Sequence, residues 1–230
     1  MTRGARNLAV LAGLVLAALS GRVLAGTQQY EPLAASVRAA LQRSVSDLAA
    51  PLPSVDSNAQ ATVWLAAMAP RLSRRIPDER ERLDLLRTVH YEATRAGLDP
   101  QLVLGLIEVE SAFRKYAVST AGARGFMQVM PFWVGVIGSP DNNLFHLRTN
   151  LRYGCTILRH YLDIENGNLF RALGRYNGSL GKAEYPNLVL RAWHANWSVA
   201  AVTGPQLAPT ATAAQAPVPR RVSEIRITRN

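Results

Sequence analysis

Apolar residues recur along this chain at helical spacing, and strict alternation of apolar with polar residues is scarce. The pattern predicts a mainly α protein with little or no β structure. Helices are expected over Leu33 to Leu48 and Ala59 to Ala69, where Pro70 should kink or end the second. Pro77 opens the next, with Asp78 and Glu79 in a first turn whose dipole favours acids. That helix lines Leu86, Val89, Ala93 and Ala96 along one face and stops at Gly97. Asp99 and Pro100 supply an N-cap and a first-turn proline for a helix that ends at Glu110. From Ala112 to Gly125 the chain turns irregular, and a short helical piece from Phe126 to Met130 precedes Pro131. A loop follows over Gly138 to Asn143. A long amphipathic helix runs from about Leu147 to Leu162. Asn168 caps another through Tyr176, closed by Gly178, and a last helical region spans Lys182 to Trp197.

Composition divides the chain. Arg3 and Arg6 precede the apolar run Leu8 to Leu19, and Val23-Leu24-Ala25 offers a small-residue cleavage site, so residues 1–25 read as a secretory signal peptide. Residues 26–76 read as a helical extension with a linker at Pro51 to Asn58, and residues 77–200 as one catalytic-sized domain. Residues 201–230 form a basic tail rich in Pro and Ala, expected to be disordered. After signal removal no integral membrane segment is expected, which places the protein in the periplasm or outside the cell. The formal charge of +10 drops to +7 without residues 1–25, because three arginines leave and no acid does. A basic chain suits an anionic polymer. With aromatics at 7% and no recognition motif, nucleic acid is not the expected partner. The single cysteine, Cys155, shares an apolar face with Leu151, Leu158 and Leu162 and reads as a small buried hydrophobe. The four histidines show no ligand spacing, so neither a metal nor a cofactor is expected.

One residue breaks the pattern in a useful way. With Glu110 at zero on a helix turning about 100° per residue, Leu106 falls at about −40°, Val103 at about +20° and Ile107 at about +60°. Glu110 therefore continues the apolar stripe, whereas Glu108 falls about 160° away and reads as solvated. A carboxyl in apolar surroundings has a raised pKa and stays protonated near neutral pH, as a general acid must.

Three further elements accompany it: Gly125-Phe126-Met127-Gln128-Val129-Met130-Pro131, then Asn150 with Gly154, then Arg175-Tyr176-Asn177-Gly178. Together with Glu110-Ser111-Ala112-Phe113, their order and spacing resemble the lytic transglycosylase family of the soluble-lytic-transglycosylase type, over about residues 85–195. The resemblance implies a lysozyme-like (goose-type) helical domain that cuts peptidoglycan glycan strands. It implies Glu110 as the sole catalytic acid/base, with Ser111, Gly125, Met127, Gln128, Tyr176 and Asn177 at the substrate, and Tyr176 pointing at the catalytic carboxyl. Phe126 stands where the family has Leu, and Arg175 where it has Ala. No Asp or Glu occurs from Ser111 to Pro140, which favours one carboxyl over the usual pair. The product implied is a 1,6-anhydro-muramoyl end. The alternatives are a hydrolytic muramidase, with Asp141 or a distant acid placing a water, and a non-catalytic glycan-binding assembly protein. The expected protein is a monomer whose further partner would be a cell-envelope machine.

Overall fold

The computed structural model describes residues 28–46 and 59–199. The signal-peptide and tail expectations, and the whole 51–58 linker, lie outside the described residues. Among the described residues eight α-helices form: α1 (Ala35–Ser46), α2 (Ala59–Leu72), α3 (Glu79–Arg95), α4 (Pro100–Ser111), α5 (Phe132–Ile137), α6 (Leu147–Ile164), α7 (Leu169–Asn177) and α8 (Glu184–Ala192). A π-helical turn, Trp193–Trp197, continues α8. No strand forms among the described residues. Two isolated antiparallel bridges, Val118 with Arg124 and Arg124 with Val129, shape the loop after α4. The mainly α expectation holds.

The caps act as their residue types require. Asp78 accepts from the Glu81 amide at 2.7 Å, Asp99 from Gln101 at 2.7 Å and Asn168 from Arg171 at 3.1 Å, each satisfying an amide with no intrahelical partner. Pro77 therefore precedes α3 rather than opening it. Pro70 sits inside α2, which ends two residues later at Leu72. The expected helix over Phe126 to Met130 is absent. That stretch is a tight turn closed by the Arg124–Val129 bridge, and the helical piece begins after Pro131, as α5. Proline fits a first helical turn, where its missing N–H costs nothing.

Helix α4 lies at the centre, packed against α8, the π turn and α3, while α6 packs against α3, α7 and α1. Its residues Val103, Leu104, Leu106 and Ile107 are fully buried. The two N-terminal helices join the same core, α1 against α5 and α6 and α2 against α3, through Leu41, Val45, Trp64, Met68 and Leu72. Cys155 is buried, as its face predicts.

Among the described residues, two acids on helical apolar stripes are buried. Glu110 is one. Glu92 on α3 is the other, and it meets Arg152 at 2.5 and 2.8 Å, with Arg148 and Arg95 each at 3.4 Å. Arg152 is itself fully buried. Charges taken out of water need this degree of pairing.

Candidate active site

Helix α4 ends abruptly after Ser111. Ala112 and Phe113 both take left-handed backbone conformations (φ 50° and 63°), so the chain turns away and leaves Glu110 in the last helical turn. Phe113 then packs on Trp197, ring centroids 5.2 Å apart. Ser111 is fully buried, with its hydroxyl donating to the Ile107 carbonyl at 3.2 Å. Its place here is structural: it closes the last turn that presents Glu110.

Glu110 is 1% exposed. Burial pushes its carboxyl up from an ordinary 4.5 to about 8, and a hydrogen bond from the Tyr185 hydroxyl to Oε1 offsets part of that rise. The other oxygen, Oε2, has no protein hydrogen-bond partner. A neutral carboxyl in this setting accepts from Tyr185 on one oxygen and carries its proton on the other. The remaining described acids differ. Glu92 and Glu165 are held by arginines, and Asp141 is exposed. Glu108, expected to be solvated, is instead tied to Arg75, to the Asn196 amide at 3.0 Å and to the Trp197 indole at 2.7 Å.

The glycine-led turn stands on α6. Asn150 accepts from the Met127 amide at 2.8 Å and donates to the carbonyls of Arg124 and Leu144 at 2.8 and 2.9 Å. One turn along α6, Gly154 leaves room for Met127, for a Cβ there would lie 2.4 Å from its sulfur. Gly125 has φ 75°, and a Cβ on it would lie 2.5 Å from the Asn150 amide nitrogen. Asn150 and Gly154 are thus the seat of the Met127 turn, and their spacing of one helical turn follows from that. Gln128 is buried with φ 48°. Its amide nitrogen donates to the Gly125 and Ala117 carbonyls at 2.9 and 3.1 Å, and its Oε1 has no protein partner.

Tyr176 corrects one expectation. Its hydroxyl donates to the Met127 carbonyl at 2.7 Å rather than to Glu110. It lies near enough for the Glu110 charge to help burial raise its pKa. The partner of Glu110 is Tyr185 on α8, which the sequence reading missed. It lies three residues after Lys182 in a stretch read only as helix, and nothing local marks it. Asn177 donates to the Ser179 hydroxyl at 2.9 Å and leaves its buried Oδ1 without a partner. The structure therefore brings Glu110, Met127, Tyr176 and Tyr185 together, with Gln128 and Asn177 on the elements that carry them.

A cavity of about 530 Å³ lies elsewhere, between α1, α3 and α6. The buried carboxylate beside it is Glu92, already saturated by arginines, so it offers no free acid. Among the described residues no cluster of His, Cys, Asp and Glu has metal-binding geometry, and no helix is long and apolar enough to cross a membrane.

Residues 87–187 match the family model for the transglycosylase SLT domain. A membrane-bound lytic murein transglycosylase C of Histophilus somni is 34% identical over 131 residues, covering 50% of this chain and 34% of that protein. The protein of the same name from Actinobacillus pleuropneumoniae is 52% identical over 56 residues, covering 24% of this chain and 14% of that protein. A transglycosylase of Enterobacteria phage PRD1 is 32% identical over 98 residues, covering 43% and 36%. The chain thus spans about a third or less of the length of these relatives. Among solved structures, an inactive mutant of the lytic transglycosylase Slt from Pseudomonas aeruginosa aligns over 74% of this chain and 35% of that one, at 18% identity and a TM-score of 0.39.

Proposed function

We propose, for a chain whose residues 87–187 match the transglycosylase SLT domain, that the protein is a peptidoglycan lytic transglycosylase acting in the cell envelope. It would cleave the β-1,4 bond between N-acetylmuramic acid and N-acetylglucosamine. The observation that carries this reading is the state of Glu110: a buried carboxyl held neutral at pH 7, with one oxygen fixed by Tyr185 and the other unpartnered. Such a group is set to give up a proton and then to hold a negative charge.

The steps are as follows. Glu110 donates the proton on Oε2 to the glycosidic oxygen, and the bond from C1 to that oxygen breaks. The acetamido group of the same sugar stabilises the cationic C1, the substrate-assisted exception to two-carboxylate glycosidases. Glu110, now ionised, is stabilised by the Tyr185 hydroxyl and withdraws the proton of the C6 hydroxyl. That oxygen closes onto C1 and leaves a 1,6-anhydro end. Every other acid around α4 to α7 is paired or exposed, which supports one carboxyl for both steps. Gln128 Oε1 and Asn177 Oδ1, buried acceptors without protein partners, would receive hydroxyl or amide protons of the glycan. Tyr176 acts indirectly, by holding the Met127 carbonyl. The positive charge of the chain suits the carboxylates of peptide stems. The relatives named as acting on murein support the same substrate class for this chain.

The test is digestion of purified peptidoglycan with the wild type and Glu110→Gln, with products weighed by mass spectrometry. Muramoyl ends lighter by one water, formed only by the wild type, are expected. Reducing ends would replace this reading by a hydrolytic muramidase, and equal activity of the variant would remove Glu110 from its role.

A further inference from the structure

The motif departure at Arg175 and the segment before α1 explain each other. Residues 28–34 run without regular structure into α1, yet Gln28 is only 4% exposed. Its side-chain oxygen accepts from the Trp133 indole at 2.9 Å and from the Met130 amide at 3.4 Å. The Gln28 side chain also lies near enough to the Tyr176 hydroxyl to offset part of the rise that burial gives its pKa. That hydroxyl donates to the Met127 carbonyl at 2.7 Å. Gln28 therefore holds the Met130 end of the Met127–Met130 turn directly and lies beside the tyrosine that holds its Met127 end.

The segment is anchored further along. The Tyr30 ring stands edge-on to Phe132, centroids 5.8 Å apart. Glu31 pairs with Arg175 at 3.0 Å, and the same guanidinium is held from the other side by Glu165. Arg175, where the family pattern has Ala, thus fastens the segment across α7. Burying an amide costs free energy unless its donors and acceptors are matched. An apolar side chain would fill the same space, so the bonds accepted from Trp133 and Met130 mark an orienting contact rather than a filler.

We propose that Gln28 is a positioning residue of the reaction, and that residues Gln28–Glu31 clamp the turn carrying Met127 and Gln128 against Tyr176 and Glu110. This rests on the lytic transglycosylase reading. Gln28 touches no reacting atom. It acts by fixing the turn on which Gln128 and the Met127 carbonyl are presented, so its loss slackens sugar alignment at the acid.

The test compares the full chain with Gln28→Leu, which keeps volume and removes the amide, and Glu31→Ala, which releases only the outer anchor. The first measurement is methyl NMR of labelled methionines. In Gln28→Leu the Met127 and Met130 signals should shift or broaden while Met68, in the core of α2, stays fixed. The second is the rate of release of anhydro products from peptidoglycan. For Gln28→Leu, kcat should fall about 10-fold, as misalignment at a reacting centre does, with KM changed less than about two-fold. Glu31→Ala should lie between this variant and the wild type. Unchanged Met127 and Met130 signals, or a lowered thermal midpoint with kcat within two-fold of wild type, would overturn the proposal. A wild type that releases no anhydro ends would sink the functional reading instead, and the methyl signals would still decide the clamp.

Discussion

Replacing Glu110 by Gln should make the protein more stable, and by an amount that depends on pH. The folded-state carboxyl has its pKa raised from 4.5 to about 8, with burial as the main cause. Below pH 4.5 the group is protonated in both folded and unfolded chains and makes no difference. Between the two values the folded chain binds the extra proton, so stability falls as pH rises. Above 8 the full cost is present. At about 1.4 kcal/mol per pH unit, the rise corresponds to a full cost on the order of 5 kcal/mol. At pH 7 about 3 kcal/mol of it applies. Gln keeps a carbonyl oxygen for the Tyr185 hydroxyl and has nothing to ionise, so it escapes this cost. Urea unfolding of wild type and Glu110→Gln at pH 4, 7 and 9 measures it. The expected advantage of the variant is near zero at the lowest pH, about 3 kcal/mol at pH 7 and about 5 at the highest. A difference that does not change with pH would refute the claim that the folded state holds Glu110 neutral.

Activity should decline as pH rises through about 8, because the acid form of Glu110 is then lost; a rate flat across that range would contradict this. Tyr185→Phe should lower the rate by about 10- to 100-fold, since a hydrogen bond to a charged group is worth about 1.5–3 kcal/mol. It should also move the alkaline limb of the pH profile upward, because the lost bond was holding the pKa down. Gly154→Ala should destabilise by about 1–3 kcal/mol through overpacking and slow turnover, because its Cβ would collide with Met127; thermal unfolding and product release check both. Glu92→Gln should cost about 3–5 kcal/mol by removing the charge that faces the buried Arg152, seen as a lowered urea midpoint.

Helix boundaries were legible where a cap chemistry marked them, as at Asp99-Pro100, Asn168 and Gly178. They were illegible at Phe126 to Met130, because an apolar run of that length suits a turn or a helix equally, and the Arg124–Val129 bridge decides. The apolar phase of Glu110 foretold its burial. The same reasoning applies to Glu92, which follows Leu85 and Val89 on α3, yet there three arginines from α3 and α6 meet the acid. A stripe position reports burial alone. Whether the acid is neutral or paired depends on partners brought from elsewhere in the chain. Tyr185 stayed hidden for that reason, 75 residues from the carboxyl it contacts. Tyr176 was legible as a neighbour, but not that its hydroxyl serves Met127. Glu108 was misread because its partners Arg75, Asn196 and Trp197 come from both ends of the fold.

That grip on Glu108 carries a consequence for heat inactivation. Glu108 and Glu110 share one helical turn, so whatever holds the first fixes the rotation that aims the second. Two of the three holders, Asn196 and Trp197, belong to the π turn that closes the described fold. Residues 194–196 of that turn are exposed, and an exposed turn opens locally at lower free energy than a buried core does. The last turn of α4 would then lose its rotational stop while the helical core remained intact. Catalytic competence should disappear some degrees below the global melting transition, and return on cooling without refolding of the whole chain.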